Sequence, residues 1–233
     1  MKNVAVFGVV TLFLGVLVVL YGQQKTEERF DSLVRTDFFD GFAGDPTSLE
    51  RGMQTCEKVL ASDPNNGPAH VWHGSGLFFQ SGLAFKSGNI AKGMELRERG
   101  LKEMDDGVAL APDSLQTLIP RGSMLLSTGR YLSDQLAQPL IEKGIADYEK
   151  ALETEKPYFG TLSVHSRGEM MGGLADGYRR VGKTEKARDL LQRMSQELPH
   201  SAYDKQAQRW LKDLSAVGKQ ERFCLGCHTG SKP

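Results

Sequence analysis

The chain has 233 residues, and its 29 lysines and arginines balance its 29 aspartates and glutamates. No run of basic residues is longer than two, which argues against a nucleic-acid-binding protein and against a domain held on a membrane by charge alone. With only 3 cysteines, the sequence also argues against a small domain held together by a disulfide framework.

The first predicted element is a membrane-spanning helix at the N-terminus. Residues 4–21 form an uncharged run of 18 residues. A helix of that length is about 27 Å long, close to the roughly 30 Å hydrocarbon core of a bilayer. The following segment, GQQKTEE, has no small-x-small cleavage site, so the pattern favours an uncleaved signal anchor over a cleaved secretory signal. We predict an anchor at residues 1–22, a linker at 23–26 and the large domain on the outer side of the membrane.

A helical repeat is predicted for the middle of the chain. Four prolines recur at intervals of 42 to 48 residues, each after a segment of helical periodicity such as EKVLASDP. They are Pro64, Pro112, Pro157 and Pro199. Because proline cannot continue a helix, each is expected to follow the end of a helix pair. We predict an all-α domain at residues 27–216, with helix pairs at 27–62, 67–110, 113–155 and 158–197 and a capping helix at 201–216.

The best-formed repeat covers residues 174–199, LADGYRRVGKTEKARDLLQRMSQELP. It resembles the tetratricopeptide repeat (TPR), in which apolar, small and aromatic residues mark the first helix, and a turn glycine, a small residue and a final proline follow. The matching residues are Leu174, Ala175, Tyr178, Gly182, Ala187 and Pro199. Two earlier segments match in part, at Trp72, Gly76 and Phe79 and at Gly122, Leu125 and Gly129. The resemblance implies a TPR-like solenoid that binds a protein in its groove or positions an attached group.

These repeat units are longer than the usual length of about 34 residues. We therefore expect longer helices or inserted turns near residues 81–89 and 131–138. Many glycines are expected at helix–helix contacts, namely Gly74, Gly76, Gly172 and Gly173. Cys56 shares a helical stripe with Leu49, Met53 and Leu60, which predicts a buried core thiol.

The last motif is CLGCH, in which Cys224 and Cys227 are followed directly by His228. Two thiols at this spacing can form thioethers with the two vinyl groups of one haem, and the adjacent histidine then binds the iron as proximal ligand. A zinc site would need a second pair of ligands, and a thioredoxin-like redox pair would follow a strand. The motif resembles that of c-type cytochromes, over the last dozen residues only. We predict one covalently bound haem c in a C-terminal tail at residues 217–233.

The second axial ligand of the iron has several candidates in the sequence. Helical phase and comparison with the repeat family predict His70, His73 and His165 on the groove side of first helices. His165 is the first choice because pair four is closest in sequence to a tail that folds back, and His73 is the next. Met170 is an alternative because it lies off a predicted core stripe. That stripe consists of Val164, Met171, Leu174 and Tyr178. A ligand from a partner subunit stays open.

These features predict a membrane-anchored monohaem c-type cytochrome that transfers single electrons and has no substrate of its own. Its expected location is the bacterial inner membrane, crossed once, with the repeat domain and haem on the periplasmic side. The expected partners are other subunits or redox partners of a respiratory or photosynthetic membrane complex. The alternative is a TPR protein-binding or assembly scaffold in which the haem is structural or sensory. A peroxidase is a weaker third class.

Overall fold

The computed structural model describes residues 29–128 and 132–216, and within them the chain forms nine α-helices and no strand. The helices are α1 (Phe30–Ala43), α2 (Pro46–Ser62), α3 (Gly67–Lys86), α4 (Ile90–Leu110), α5 (Leu115–Thr128), α6 (Asp134–Glu155), α7 (Val164–Arg180), α8 (Thr184–Glu197) and α9 (Ala202–Lys212). Short 3₁₀ turns lie at Phe159–Thr161 and Leu214–Ala216. The prediction of an all-α fold is confirmed, and the insertion predicted near residues 81–89 is a longer helix, since α3 continues to Lys86.

The ends of the helices follow directly from local sequence. Each second helix of a pair ends two residues before one of the four spaced prolines, as predicted from the sequence. The turns within pairs use glycines with positive φ at Gly44, Gly88 and Gly182, a conformation that costs a residue with a Cβ. Of the helices in the described ranges, five begin at a side-chain cap, which stabilises a helix by about 1 kcal/mol. The capping residues are Asp45, Asn66, Asn89, Ser163 and Ser201.

The helices run up and down in chain order. Each packs against the next, and the first helices of successive pairs also touch one another. The contacts show that neighbouring helices run in opposite directions. For example, Gly173 lies against Tyr148 and Gly177 against Ile145, so the residue numbers rise along α7 while they fall along α6. All first helices therefore start at one end of the array, which we call the loop end. The short turns within pairs lie at the other end, which we call the turn end.

Two apolar clusters make up most of the core. The first joins pairs one and two, where the Phe38 and Trp72 rings lie 5.1 Å apart between centroids. The second joins pairs three and four and includes Trp210 of α9, whose side chain is 1% exposed. Helix α9 thus covers the apolar face of the last pair, as predicted for a capping helix.

Helices α3 and α4 approach each other at paired glycines. A Cβ at Gly74 would lie 2.7 Å from the Gly100 carbonyl oxygen, and one at Gly67 would lie 2.6 Å from the Gly107 carbonyl oxygen. The predicted helix contact at Gly74 is confirmed. The backbones of α3 and α4 touch at these glycines. The two helices can lie this close only because no side chain stands between them.

Within residues 29–128 and 132–216, no helix is both long and apolar enough to cross a bilayer. The predicted anchor at residues 4–21 lies outside the described residues.

Candidate functional site

The predicted attachment residues Cys224, Cys227 and His228 lie outside the described residues. The candidate ligands for the other side of the iron all lie within the described part of the chain. Their surroundings differ sharply, and these surroundings determine which of them an iron could reach.

His165 lies in the first turn of α7 and is exposed. Its Nδ1 lies 2.8 Å from the Tyr203 hydroxyl of α9, and the same hydroxyl lies 2.8 Å from Oε1 of Glu169, one helical turn further along α7. Gly168 permits this arrangement, because a Cβ there would lie 2.2 Å from Cγ of Tyr203. The ring of Tyr203 therefore lies directly on the α7 backbone, with its hydroxyl between the histidine and the carboxylate.

His73 is buried, with 7% of its surface exposed. Its Nδ1 lies 2.5 Å from Oε2 of Glu103 on α4, and its Nε2 lies 3.5 Å from Oε1 of Glu57 on α2. Burial by itself raises the pKa of Glu103, but the hydrogen bond and charge of His73, with Arg99, hold that pKa below its ordinary value. The prediction that His73 faces an open groove is wrong, because it packs against the second helices of two pairs.

His70 is half-buried on the same side of α3. Its Nε2 lies 2.9 Å from the Pro64 carbonyl oxygen, and its buried Nδ1 has no hydrogen-bond partner within the described residues. A Cβ at Gly107 would lie 3.0 Å from Cβ of His70, so this histidine also faces α4. His70 and His73 therefore lie close to each other and face α4, whereas His165 contacts α9.

Met170 is buried in the same core cluster as Met171. The prediction that Met170 lies off the core stripe is wrong, because α7 is packed on several sides and residues 170–178 are all buried. The predicted core position of Val164 is also wrong. Val164 is the first residue of α7 and is 46% exposed, because it lies at the end of the helix, before the buried positions that begin at Gly168.

His200 lies in the loop between α8 and α9 and is exposed. Its φ of 64° places it in the left-handed region, and its backbone N–H donates to Oδ2 of Asp204. The Asp204 carboxylate also accepts a hydrogen bond of 2.6 Å from the Ser195 hydroxyl, and this bond, with that of the His200 N–H, lowers the pKa of Asp204. These bonds fix the start of α9, and with it the position of Tyr203.

Two polar groups could not be found from helical periodicity. The Arg121 guanidinium donates to both carboxylate oxygens of Asp147 at 2.8 and 2.6 Å, and to Asp105 at 2.9 Å. Lys143 donates to the same Asp105 at 2.7 Å, which makes the cluster electrically balanced and links α4, α5 and α6. The other group is the pair Glu169 and Tyr203, whose members are 34 residues apart in sequence.

Cys56 is confirmed as a core thiol. Its side chain is fully buried among the residues of the first cluster, and burial raises the pKa of this thiol to about 12. A thiol that stays protonated in this way is a poor nucleophile and a poor metal ligand.

Among residues 29–128 and 132–216, no group of three or more histidine, cysteine, aspartate and glutamate side chains could hold a metal ion. Comparisons of the chain with protein-family models, with curated proteins and with solved structures gave no match.

Proposed function

We propose that this chain is a membrane-anchored monohaem c-type cytochrome, an electron-transfer subunit of a respiratory or photosynthetic membrane complex. The observation that carries the proposal is the CLGCH motif, in which Cys224 and Cys227 would bind the haem covalently and His228 would bind its iron. The haem, when bound, supplies one-electron chemistry through its ferric and ferrous states. The remaining roles belong to the chain: attachment, axial ligation, burial and docking to redox partners.

One side chain among the described residues supports ligation of the iron from the side opposite His228. His165 is exposed and carries an imidazole, whereas His73 is enclosed by two glutamates and Met170 lies in the core. His165 is therefore the candidate distal ligand that supports the proposal best. Two histidine ligands would give a lower reduction potential than a histidine and a methionine, since methionine ligation raises it.

The length of the C-terminal segment supports the choice of His165. Tyr203, which contacts His165, precedes the end of α9 at Lys212 by nine residues, about 14 Å along a helix. Seven residues lie between Ala216 and Cys224, and these eight residue steps could span up to about 26–29 Å if extended. A tail of this length is long enough to return along α9 to the start of α7.

The TPR-like assignment of the helical domain is part of the same proposal. It is supported by the positions that carry the resemblance, because Leu174, Ala175, Tyr178 and Ala187 are all buried. Gly182 supplies the positive φ of the turn between α7 and α8. Contacts between the first helices of successive pairs are also expected of such an array. The anchor at residues 4–21 would hold this domain and its haem on the periplasmic side of the inner membrane.

The test is expression of the full chain together with a haem-maturation system, followed by a pyridine haemochrome spectrum and the mass of the denatured protein. We expect one haem per chain, and membrane fractions that keep the protein after a high-salt wash. Cys224→Ala combined with Cys227→Ala should remove the haem from the denatured chain, and Cys56→Ala should keep it. Haem on the denatured double variant, or no haem on the wild type, would refute the cytochrome assignment. The second of these results would favour a TPR-like scaffold without redox function.

A further inference from the structure

We propose that His73, Glu57 and Glu103 form a pH-sensitive link between helix pair one and helix pair two. With both ring nitrogens protonated, His73 holds Glu57 of α2 and Glu103 of α4 at the same time. After the ring loses one proton, it stays bonded to Glu103 and releases Glu57. All three residues belong to the described part of the chain, and the link needs neither the anchor nor the haem.

Both ring nitrogens of His73 face carboxylates of second helices. Nδ1 lies 2.5 Å from Oε2 of Glu103, and Nε2 lies 3.5 Å from Oε1 of Glu57. An ionised carboxylate only accepts hydrogen bonds, and a neutral imidazole has a single N–H. A neutral ring can therefore donate to one of the two carboxylates, and its lone pair then faces the other. Only the imidazolium, which has an N–H on each nitrogen, is attracted to both.

Glu103 is the carboxylate that keeps the neutral ring. Its side chain is 21% exposed and also pairs with Arg99 of the same helix, at 3.5 Å between Nη2 and Oε1. Burial alone would raise the pKa of Glu103, but the hydrogen bond and charge of His73, together with Arg99, hold that pKa below its ordinary value. Glu103 is therefore an ionised acceptor at neutral pH, and the remaining ring proton belongs on Nδ1.

Glu57 is held much less firmly. Its side chain is 60% exposed, and within the described residues its one ion-pair partner is His73. The distance of 3.5 Å between Nε2 and Oε1 exceeds the usual length of an N–H···O hydrogen bond, so this contact depends on the charge of the ring. When that charge is lost, the Nε2 lone pair faces the carboxylate, and Glu57 turns into solvent.

The other groups near the ring do not replace either glutamate. Among the described residues, α1 and α5 also pack against α3 but place no carboxylate within 4.0 Å of the ring nitrogens. His70, one turn earlier on α3, adds its charge near Glu103 when it is protonated. The Cys56 thiol lies near both glutamates but stays uncharged, because burial raises its pKa to about 12. The charged or titratable groups around the ring are thus Cys56, Glu57, His70, Arg99, Glu103 and, beyond Glu103, Lys102.

The link lies beside the apolar contact between the same two pairs. Glu57 belongs to pair one, whereas His73 and Glu103 belong to pair two. Their sequence neighbours Cys56 and Trp72 are buried in the cluster that joins these pairs. This cluster holds pair one in place at any pH. The link adds a contact that is complete while the ring is charged and is lost as the pH rises, so deprotonation loosens α2 from pair two without unfolding the array.

The first experiment is ¹⁵N NMR of the histidine rings between about pH 5 and 8, the range in which histidine changes charge. It uses the full chain in detergent, with both tail cysteines replaced by alanine. The His73 signals are assigned by their loss in His73→Gln and by elimination with variants of the other histidines. We expect the ring to lose one proton within this range and to keep the other on Nδ1.

His70 is the internal control for this measurement. Its Nε2 lies 2.9 Å from the Pro64 carbonyl oxygen, which only accepts hydrogen bonds, so the neutral His70 ring should carry its proton on Nε2. A proton on Nε2 of the neutral His73 ring would mean that the ring keeps Glu57, and would overturn the proposal. A His73 ring with one charge state throughout the range would overturn it as well.

The second experiment is thermal unfolding of the same chain at one pH where the His73 ring is charged and one where it is neutral. With the charged ring, Glu57→Gln should lower the midpoint by about 1–3 °C, because the ring loses one of its two partners. With the neutral ring, the same change should leave the midpoint equal or raise it. A loss of equal size at both pH values would contradict the link.

Glu50→Gln is the matched control for Glu57→Gln. Glu50 is exposed on the same helix, and its Oε1 accepts a hydrogen bond of 3.2 Å from Gln54 one turn further along. Its replacement removes the same charge from α2 without touching the ring, so its effect on the midpoint should be the same at both pH values. A pH-dependent effect of Glu50→Gln as large as that of Glu57→Gln would assign the response to the charge of α2 as a whole and overturn the role of His73.

Discussion

Replacement of Gly74 by alanine is the most direct test of the close approach between α3 and α4. A Cβ at this position would lie 2.7 Å from the Gly100 carbonyl oxygen and 2.9 Å from the Met104 amide nitrogen. Both are backbone atoms, so rotation of a side chain cannot relieve the contact and the two helices must move apart.

The size of the effect follows from two opposing contributions. Overpacking costs about 1–3 kcal/mol, and the rigid backbone contacts place Gly74→Ala at the upper end. Alanine recovers about 1 kcal/mol of helix propensity relative to glycine, which leaves a net destabilisation of about 2 kcal/mol. Gly82 is the matched control, because it lies in the same helix and nothing lies within 4 Å of an added Cβ. Gly82→Ala should stabilise the protein by about 1 kcal/mol.

The measurement is urea and thermal unfolding of the purified full chain in detergent, followed by far-ultraviolet circular dichroism. The free energies of unfolding of the two variants should differ by about 3 kcal/mol. For a domain of this size that corresponds to midpoints roughly 6–12 °C apart. Equal stability of the two variants, or a more stable Gly74→Ala, would refute the backbone-to-backbone contact.

Two further predictions concern buried polar groups. Asp147→Ala should lower the free energy of unfolding by about 3 kcal/mol, the lower end for a broken buried pair, because Asp105 still accepts from Arg121. Replacing Arg121 and Asp147 together by leucine should restore part of that loss, and an unfolding midpoint of Asp147→Ala equal to wild type would contradict the buried pair. Cys56, in the chain with both tail cysteines replaced by alanine, should not react with a thiol reagent at about pH 8 until urea unfolds the protein. Its pKa is raised from 9.0 to about 12, so its contribution to stability is complete below pH 9.0 and is lost as the pH rises towards 12; rapid labelling of the folded chain would contradict this.

The helices could be predicted from the sequence because their ends are local features. Proline two residues after a helix, glycine in a turn and a polar cap each act through the residue's own backbone or its near neighbours. The burial of individual side chains was harder to predict. Residues 71–78 and 170–178 are buried without interruption, since α3 and α7 pack against helices on several sides. A single apolar stripe does not describe such helices, which is why the positions of His73 and Met170 were predicted wrongly.

His165, the candidate distal ligand, lies on α7 beside α9, but its contact with α9 was not foreseen from the sequence. His165 and Glu169 stand four residues apart, a spacing that places them on one side of a helix. Tyr203 belongs to another helix, and nothing in the periodicity of α9 shows that its hydroxyl lies between the two. The cluster of Arg121 and Asp147 could not be predicted from the sequence either, because it forms only where three helices meet.

The number of described helices determines at which end of the bundle the helical array begins and ends. Within the described residues an odd number of antiparallel helices connects Phe30 to Lys212, so α1 starts at the loop end and α9 finishes at the turn end. Two antiparallel helices return the chain to the end from which it started. Gain or loss of a whole helix pair would therefore change the length of the array, but α1 would still start at the loop end and the last helix would still finish at the turn end. Loss of α9 alone would reverse it, because the array would then finish with α8 at the loop end, where α1 begins. Helix α9 thus places the two ends of the helical array at opposite ends of the bundle, in addition to burying Trp210.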